Sequence, residues 1–187
     1  MKAKDKILIA AQAIFYRQGM QKPSIKSIYE DAGVSKMTFY RLFKDKEDLA
    51  RAVMEDILES SFAEYLQVMT EDIPFGEKLE QILLLKMQKT EGLSSLFYEE
   101  VMKNAQIAPI IQQHSQKQYQ QFIEDLEKGK QEGAIKEDFN PHQIIYLIQY
   151  ISKLADDPAY QQLFTDIQQM TKATTEFLFF GIAGGQK

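Results

Sequence analysis

Lys36, Met37, Thr38, Tyr40 and Arg41 crowd the outward side of one short segment, Lys36 to Phe43, whose other side is apolar through Phe39, Leu42 and Phe43. Hydroxyls and cations of these types suit phosphate oxygens and base edges. A single surface lysine or arginine is normally just solvated. Here Lys26, Lys36, Arg41 and Lys46 gather around one turn, which is the footprint of a phosphate-binding face. Phe39 and Phe43 belong to the expected core. Tyr40 lies opposite the apolar seam, so its hydroxyl is expected to face outward.

The elements that hold these side chains can be read locally. Ser24 to Ala32 predicts a short helix with Ile25, Ile28 and Ala32 on one face, and Gly33 gives the backbone freedom to turn sharply. Ser35 is a good N-cap for the next helix, because its hydroxyl can accept an orphan amide hydrogen. Asp45 can cap a further helix that carries Lys46 in its first turn and Asp48 near its positive end. Helix, turn and helix follow in sequence.

Residues 5 to 50 resemble the TetR family of bacterial transcriptional regulators. The likeness is carried by an apolar first helix ending at Gly19 (Ile7, Ala10, Ala11, Ile14, Phe15), the Ala32-Gly33-Val34-Ser35 turn, Thr38-Phe39-Tyr40 followed by Phe43, and Lys46-Glu47-Asp48-Leu49. It implies that Ser24, Ser35, Thr38, Tyr40 and Lys46 touch DNA phosphates, and that Lys26, Lys36, Met37 and Arg41 reach bases or backbone. Met37 departs from the family pattern, which favours Gly, Ala or Pro there. Its thioether can meet a thymine methyl or shield the adjacent backbone.

Charge follows the same division. Residues 1–50 carry ten Lys and Arg against six Asp and Glu, a net of +4, while the remaining chain carries twelve against twenty-one, a net of −9. The acidic part is not suited to wrapping DNA, and binding responds to the local potential of one face. With 187 residues and 44% hydrophobic content, the chain can bury a substantial core. The longest apolar run, Phe177 to Ala183, contains Gly181 and falls far short of the roughly 18 residues of a membrane helix. Lys2, Lys4 and Lys6 before Ile7-Leu8-Ile9 mimic a signal peptide, but Asp5 and Gln12 interrupt it, so an amphipathic first helix is expected. The absence of cysteine excludes disulfides and thiol chemistry and fits a cytoplasmic location.

Beyond Asp45 the apolar spacing stays helical. The expected fold class is all-α: an N-terminal three-helix DNA-binding domain of helix-turn-helix type, residues 1–48, and a larger helical effector-binding and dimerisation domain, residues 49–187. Leu49, Val53, Ile57, Phe62, Tyr65, Leu66 and Met69 predict a fourth helix ending before Pro74. Further helices are predicted at 75–89, 93–104, 107–131, 141–154 and 158–181, with Pro109 either in the first turn of its helix or marking a break before it. The Gly129 to Pro141 connector is similar to the one before the penultimate family helix.

The last two predicted helices carry broad apolar faces, with Ile144, Ile145, Leu147, Ile148, Ile151 and Leu154 on one and Leu163, Phe164, Ile167, Met170, Phe177 and Leu178 on the other. The resemblance implies a homodimer through these helices, with Ile144, Ile148, Ile151, Leu163, Ile167, Met170 and Phe177 at the interface. Two recognition helices about 34 Å apart would then meet a palindromic double-stranded operator. The same faces can also serve a monomer core.

The resemblance further implies a small-molecule pocket among the middle helices. Candidate liners are Phe62, Tyr65, Met69, Leu83, Met87, Phe97, Met102, His114, Tyr119, Phe122 and Tyr146, a set that favours a small apolar or aromatic effector. His114 and His142 are too few and too separated for a metal site, and no metal or other cofactor is expected. No phosphate-cradling glycine loop or thiol nucleophile is present, and Glu99 and Glu100 diverge by about 100° on a helix, so no catalysis is expected. The function implied is a homodimeric DNA-binding repressor released from its operator by ligand. The competing reading gives the helical body a protein partner and no small-molecule control.

Overall fold

The computed structural model describes residues 1–182. Ten α-helices form among the described residues: α1 Ala3–Gln18, α2 Ile25–Asp31, α3 Lys36–Leu42, α4 Lys46–Thr70, α5 Phe75–Thr90, α6 Ser95–Lys103, α7 Ala108–Gln131, α8 Pro141–Ser152, α9 Pro158–Gln161 and α10 Ile167–Ile182. A 3-10 turn at Lys153–Asp156 joins α8 to α9. The all-α expectation holds. The described residues form two compact units, one of Met1–Ser60 with Gly92–His114, the other of Ser61–Glu91 with the described residues from Ser115 onward.

In the first unit, Ile7, Ala11, Phe15, Ile28, Phe39, Leu49 and Val53 come from α1 to α4 and are almost fully buried together. Their spacing of three and four residues along each helix puts them on single faces, so burying those faces brings the helices together. Phe97, Val101 and Ile107 join this core. Phe97 lies against Phe15 and Tyr16, with ring centroids 6.4 and 5.3 Å apart. The unit is therefore larger than a three-helix module: it takes in the first part of α4 and all of α6. Burial pushes the Tyr16 phenol above its usual pKa.

In the second unit, Phe75, Leu79, Leu126 and Ile135 form the buried centre, with Met69, Phe122 and Phe139 packed against it. Gly129 is closely packed: a Cβ there would sit 3.0 Å from the Ile135 side chain and 3.3 Å from Phe75, so those side chains would have to give way by a few tenths of an ångström. The α7 end is closed by the Gly129 carbonyl accepting from Ala134 and Ile135, with Gly133 in the left-handed region at φ 74°. Helix α5 packs against α10.

Two sequence expectations are corrected. The single helix predicted over 158–181 is broken between α9 and α10. Asp166 accepts the Gln169 N–H at 2.8 Å and Gln169 accepts the Thr165 N–H at 2.6 Å, so the side chains start a new helix at Ile167. Leu163 thereby falls in a connector rather than on a helical face. Leu42 also leaves the expected core: it is 36% exposed while Phe39 and Phe43 are buried. The seam of α3 is narrow enough to be filled by two rings four residues apart.

Candidate nucleic-acid interface

Each element of the helix-turn-helix is started by a side chain. Ser24 accepts the Ser27 N–H at 3.0 Å and opens α2. The turn that follows has Gly33 at φ 62°, with Gly33 and Val34 donating to Glu30 and Tyr29 carbonyls at 3.0 Å. Ser35 accepts the Thr38 N–H at 3.1 Å and opens α3. Asp45 accepts the Asp48 N–H at 2.8 Å at the start of α4. In all three cases a short polar side chain satisfies an orphan backbone donor, so the helix starts are set by local chemistry.

The outward face of α3 is as expected from its residue types. Met37 is 81% exposed and Tyr40 48% exposed, with Lys36 and Arg41 also exposed. Lys36 places its ammonium 6.0 Å from the Tyr40 ring centroid, and the Tyr40 ring meets buried Phe39 edge-on at 5.4 Å. Tyr40 is thus braced at its ring while about half of the residue stays exposed. Thr38 is half-buried, its hydroxyl 2.9 Å from Ser35 Oγ. Lys26 is exposed and lies 3.8 Å from Glu30.

Lys46 has a structural use that its position alone did not announce. Its ammonium donates to the Gln21 carbonyl and, at 3.2 Å, to the Pro23 carbonyl. An ammonium has three donors, so one is left to point elsewhere. Nearby, Asp48 accepts from the Lys44 N–H at 3.1 Å and pairs with Arg51 at 2.8 Å. The Lys44 amide, followed by Arg51, holds the Asp48 carboxyl below its usual pKa.

Glu100, which the sequence presents only as half of a divergent carboxylate pair, has a structural partner. It accepts the backbone N–H groups of Met20 and, at 3.1 Å, Gln21. The separation of some 80 residues leaves no local pattern that could reveal this contact. Its one sequence signal is Gly19, at φ 77°, where a Cβ would lie 2.7 Å from Glu100 Oε2.

The expected pocket liners are divided between the two units. Phe97, Met102 and His114 belong to the first unit, where Phe97 is buried core and Met102 is exposed. In the second unit, Phe62 stacks on Tyr65 at 6.2 Å and Tyr65 meets Phe122 edge-on at 6.4 Å. Met69 and Phe122 pack on the same core. The Tyr65 hydroxyl donates to Asp125 at 2.5 Å, and burial, then that bond, pushes the phenol far above its usual pKa. Leu83, Met87 and Tyr119 are half-buried, and Tyr146 is exposed. A groove of about 300 Å³ between α4 and α5 is lined by polar residues (Glu64, Gln67, Glu71, Gln81 and Gln88) and by apolar ones (Val68, Leu84 and Leu85).

Of the expected interface residues, Leu163 and Phe177 are largely exposed and Ile167 is half-buried. Met170 is buried within its own chain. The side chains of Ile144, Ile148 and Ile151 lie outside the described residues. No helix among the described residues is long and apolar enough to cross a membrane, and no metal-binding cluster of His, Cys, Asp or Glu occurs among them.

Residues 7–53 match the family described as bacterial regulatory proteins, tetR family. The chain is 22% identical over 142 residues to the HTH-type transcriptional repressor KstR2 of Mycolicibacterium smegmatis, covering 73% of this chain and 69% of that protein. It is 29% identical over 140 residues to the uncharacterized HTH-type transcriptional regulator YhgD of Bacillus subtilis, covering 71% of this chain and 72% of the relative. The solved structure of a transcriptional regulator FadR from Bacillus subtilis in complex with stearoyl-CoA shares the fold, with a TM-score of 0.69 and 20% identity over 95% of this chain and 98% of that one. Helix order, side-chain caps and the matched segment agree: residues 7–53 carry the DNA-binding domain of the tetR family of bacterial regulatory proteins.

Proposed function

We propose that the protein is a homodimeric, sequence-specific repressor that binds a palindromic operator and is released from it by a small apolar or aromatic ligand. In this reading residues 1–48 bind DNA, residues 49–187 dimerise and sense the ligand, and the protein works in the cytoplasm without catalysis. The observation that carries it is the outward face of α3. Lys36, Met37, Tyr40 and Arg41 are exposed together on a helix whose start is fixed by Ser35 and whose inner face is fixed by Phe39. Such a face offers cations and a hydroxyl to phosphates and a thioether to bases. Ser24, Lys26, Ser35, Thr38 and Lys46 complete the proposed contact set, with Lys46 using the donor not spent on backbone carbonyls.

The ligand class is supported by the Phe62, Tyr65 and Phe122 rings, which meet in one cluster beside Met69. The FadR structure was crystallised with stearoyl-CoA, which supports a molecule carrying a long apolar chain as one form such an effector takes. Release follows if the ligand binds better to a conformation that fits the operator less well, and the loss of affinity equals that preference, commonly about 1–3 kcal/mol.

The test is selection of duplexes from a random pool by the purified protein, followed by titration with acyl and aromatic compounds. Enrichment of an inverted repeat, and its release by one such compound, is the expected result. No enriched sequence would remove the DNA-binding reading. An enriched sequence that no compound releases, together with an unchanged melting temperature across the compounds, would favour control through a protein partner.

A further inference from the structure

The turn from Gly19 to Pro23 is gripped from two helices remote in sequence. From α6, Glu100 accepts the Met20 and Gln21 N–H groups with a single oxygen, Oε2. From α4, Lys46 donates to the Gln21 and Pro23 carbonyls. A carboxylate therefore takes the donors of the turn and an ammonium takes its acceptors, which makes every one of these bonds charge-assisted. Asn104, just beyond α6, reaches Glu47, the neighbour of Lys46, at 3.2 Å. Helix α6 is itself fixed on α1, through Ser94 N–H donating to the Tyr16 carbonyl at 2.9 Å and through the Phe97 ring on Phe15 and Tyr16.

This turn has no repeating backbone bonds of its own to hold its shape, and it leads directly into Ser24, the cap of α2. Wherever the turn is held, α2 begins, and α3 follows across Gly33. Gly19 is shaped to admit the carboxylate, since its φ of 77° suits glycine and a Cβ would lie 2.7 Å from Glu100 Oε2. The α6 end of the clasp carries a negative charge and has no reason to approach DNA. Its effect on DNA must therefore act through the turn.

We propose that Glu100 is a positioning residue for DNA binding: by clasping the Met20 and Gln21 amides opposite Lys46, it fixes where α2 and α3 start and so holds the recognition face in place. The inference rests on the DNA-binding reading above. Its test uses a duplex selected by the wild-type protein and three full-length variants. Glu100→Met keeps an unbranched side chain with only a weak, uncharged sulfur acceptor, Glu100→Asp keeps the charge one methylene short, and Glu100→Gln keeps an oxygen acceptor at full length. Amide hydrogen exchange at Met20 and Gln21 is measured on each, with circular dichroism to establish folding at the assay temperature.

Affinity for the duplex is expected to fall about tenfold or more in the Met and Asp variants, with faster exchange at both amides, and to recover in the Gln variant to within about threefold of wild type. Should one of the two losing variants not fold, the other carries the comparison with Gln. Wild-type affinity in a folded Met or Asp variant overturns the proposal. So does a rise in affinity on every loss of charge, which would mean that Glu100 merely repels phosphates. Equal loss in all three variants, tracking melting temperature alone, would reduce Glu100 to a stability residue and overturn it as well. If the wild-type protein selects no duplex at all, the DNA-binding reading fails first and this inference falls with it.

Discussion

The Ser35 hydroxyl oxygen accepts the Thr38 backbone N–H at 3.1 Å and lies 2.9 Å from the Thr38 hydroxyl. One bond closes an orphan amide at the start of α3, and the other ties the two hydroxyls together at the end that presents Lys36 and Met37. Replacing Ser35→Ala is expected to cost about 1 kcal/mol of unfolding free energy. Binding to the selected duplex should weaken along with it. Urea unfolding measures the first effect and a mobility shift the second. An unchanged urea midpoint would show that the cap adds no net stability.

The contribution of α3 cations can be separated from shape by salt. Each phosphate neutralised in the complex steepens the fall of log K with log salt by about 0.9. Arg41→Ala and Lys36→Ala are each expected to flatten that slope by about one such step per lost phosphate contact. Tyr40→Phe should weaken binding with little change in slope, because a neutral hydroxyl releases no counterion. If Arg41→Ala leaves both affinity and slope where they were, Arg41 is not a DNA contact.

The parts of the fold that were legible in the sequence are those fixed by neighbours along the chain. Ser24, Ser35 and Asp45 announce helix starts because a cap acts across three residues, and Gly33 announces the turn because the backbone there has positive φ. The break before Ile167 was missed because Leu163, Phe164 and Ile167 keep a helical apolar spacing straight through it. Asp166 and Gln169 stand three apart in a capping pattern, and that polar signal outweighs the apolar one. Contacts across long separations left almost no trace. Glu100 on Met20 and Phe97 on Phe15 depend on which helices meet, and helical periodicity says only which face is buried, not against what.

Tyr65 and Tyr16 give the protein an alkaline limit. Both phenols are raised in the folded chain, mainly by burial, so each stays protonated where the unfolded chain has begun to ionise, near pH 10. Their contribution to stability is complete below that pH and is lost as pH rises above it. Tyr65→Phe also removes the donor to Asp125 and should lower stability at neutral pH by about 1.5–3 kcal/mol, the usual worth of a bond to a charged group. Above about pH 10 the variant should lose stability less steeply than wild type. Urea unfolding at a series of pH values tests this, and an identical alkaline slope in both proteins would refute it.

Leu163 and Phe177, in the region expected to meet a second copy, are 72% and 75% exposed. If two chains pair there, a carboxylate introduced at either position must be desolvated against apolar surface or stay in water and hold the chains apart. Phe177→Glu and Leu163→Glu are therefore expected to shift the protein from dimer to monomer in sedimentation velocity, with folding retained because neither side chain supports its own chain's core. The effect on DNA follows from symmetry. A monomer reaches one half of a palindrome, so it should bind the full duplex no better than a half-site and with about half the salt slope. Dimers that persist in both variants would place the contact on another surface, and wild-type operator binding by a true monomer would remove the need for pairing altogether.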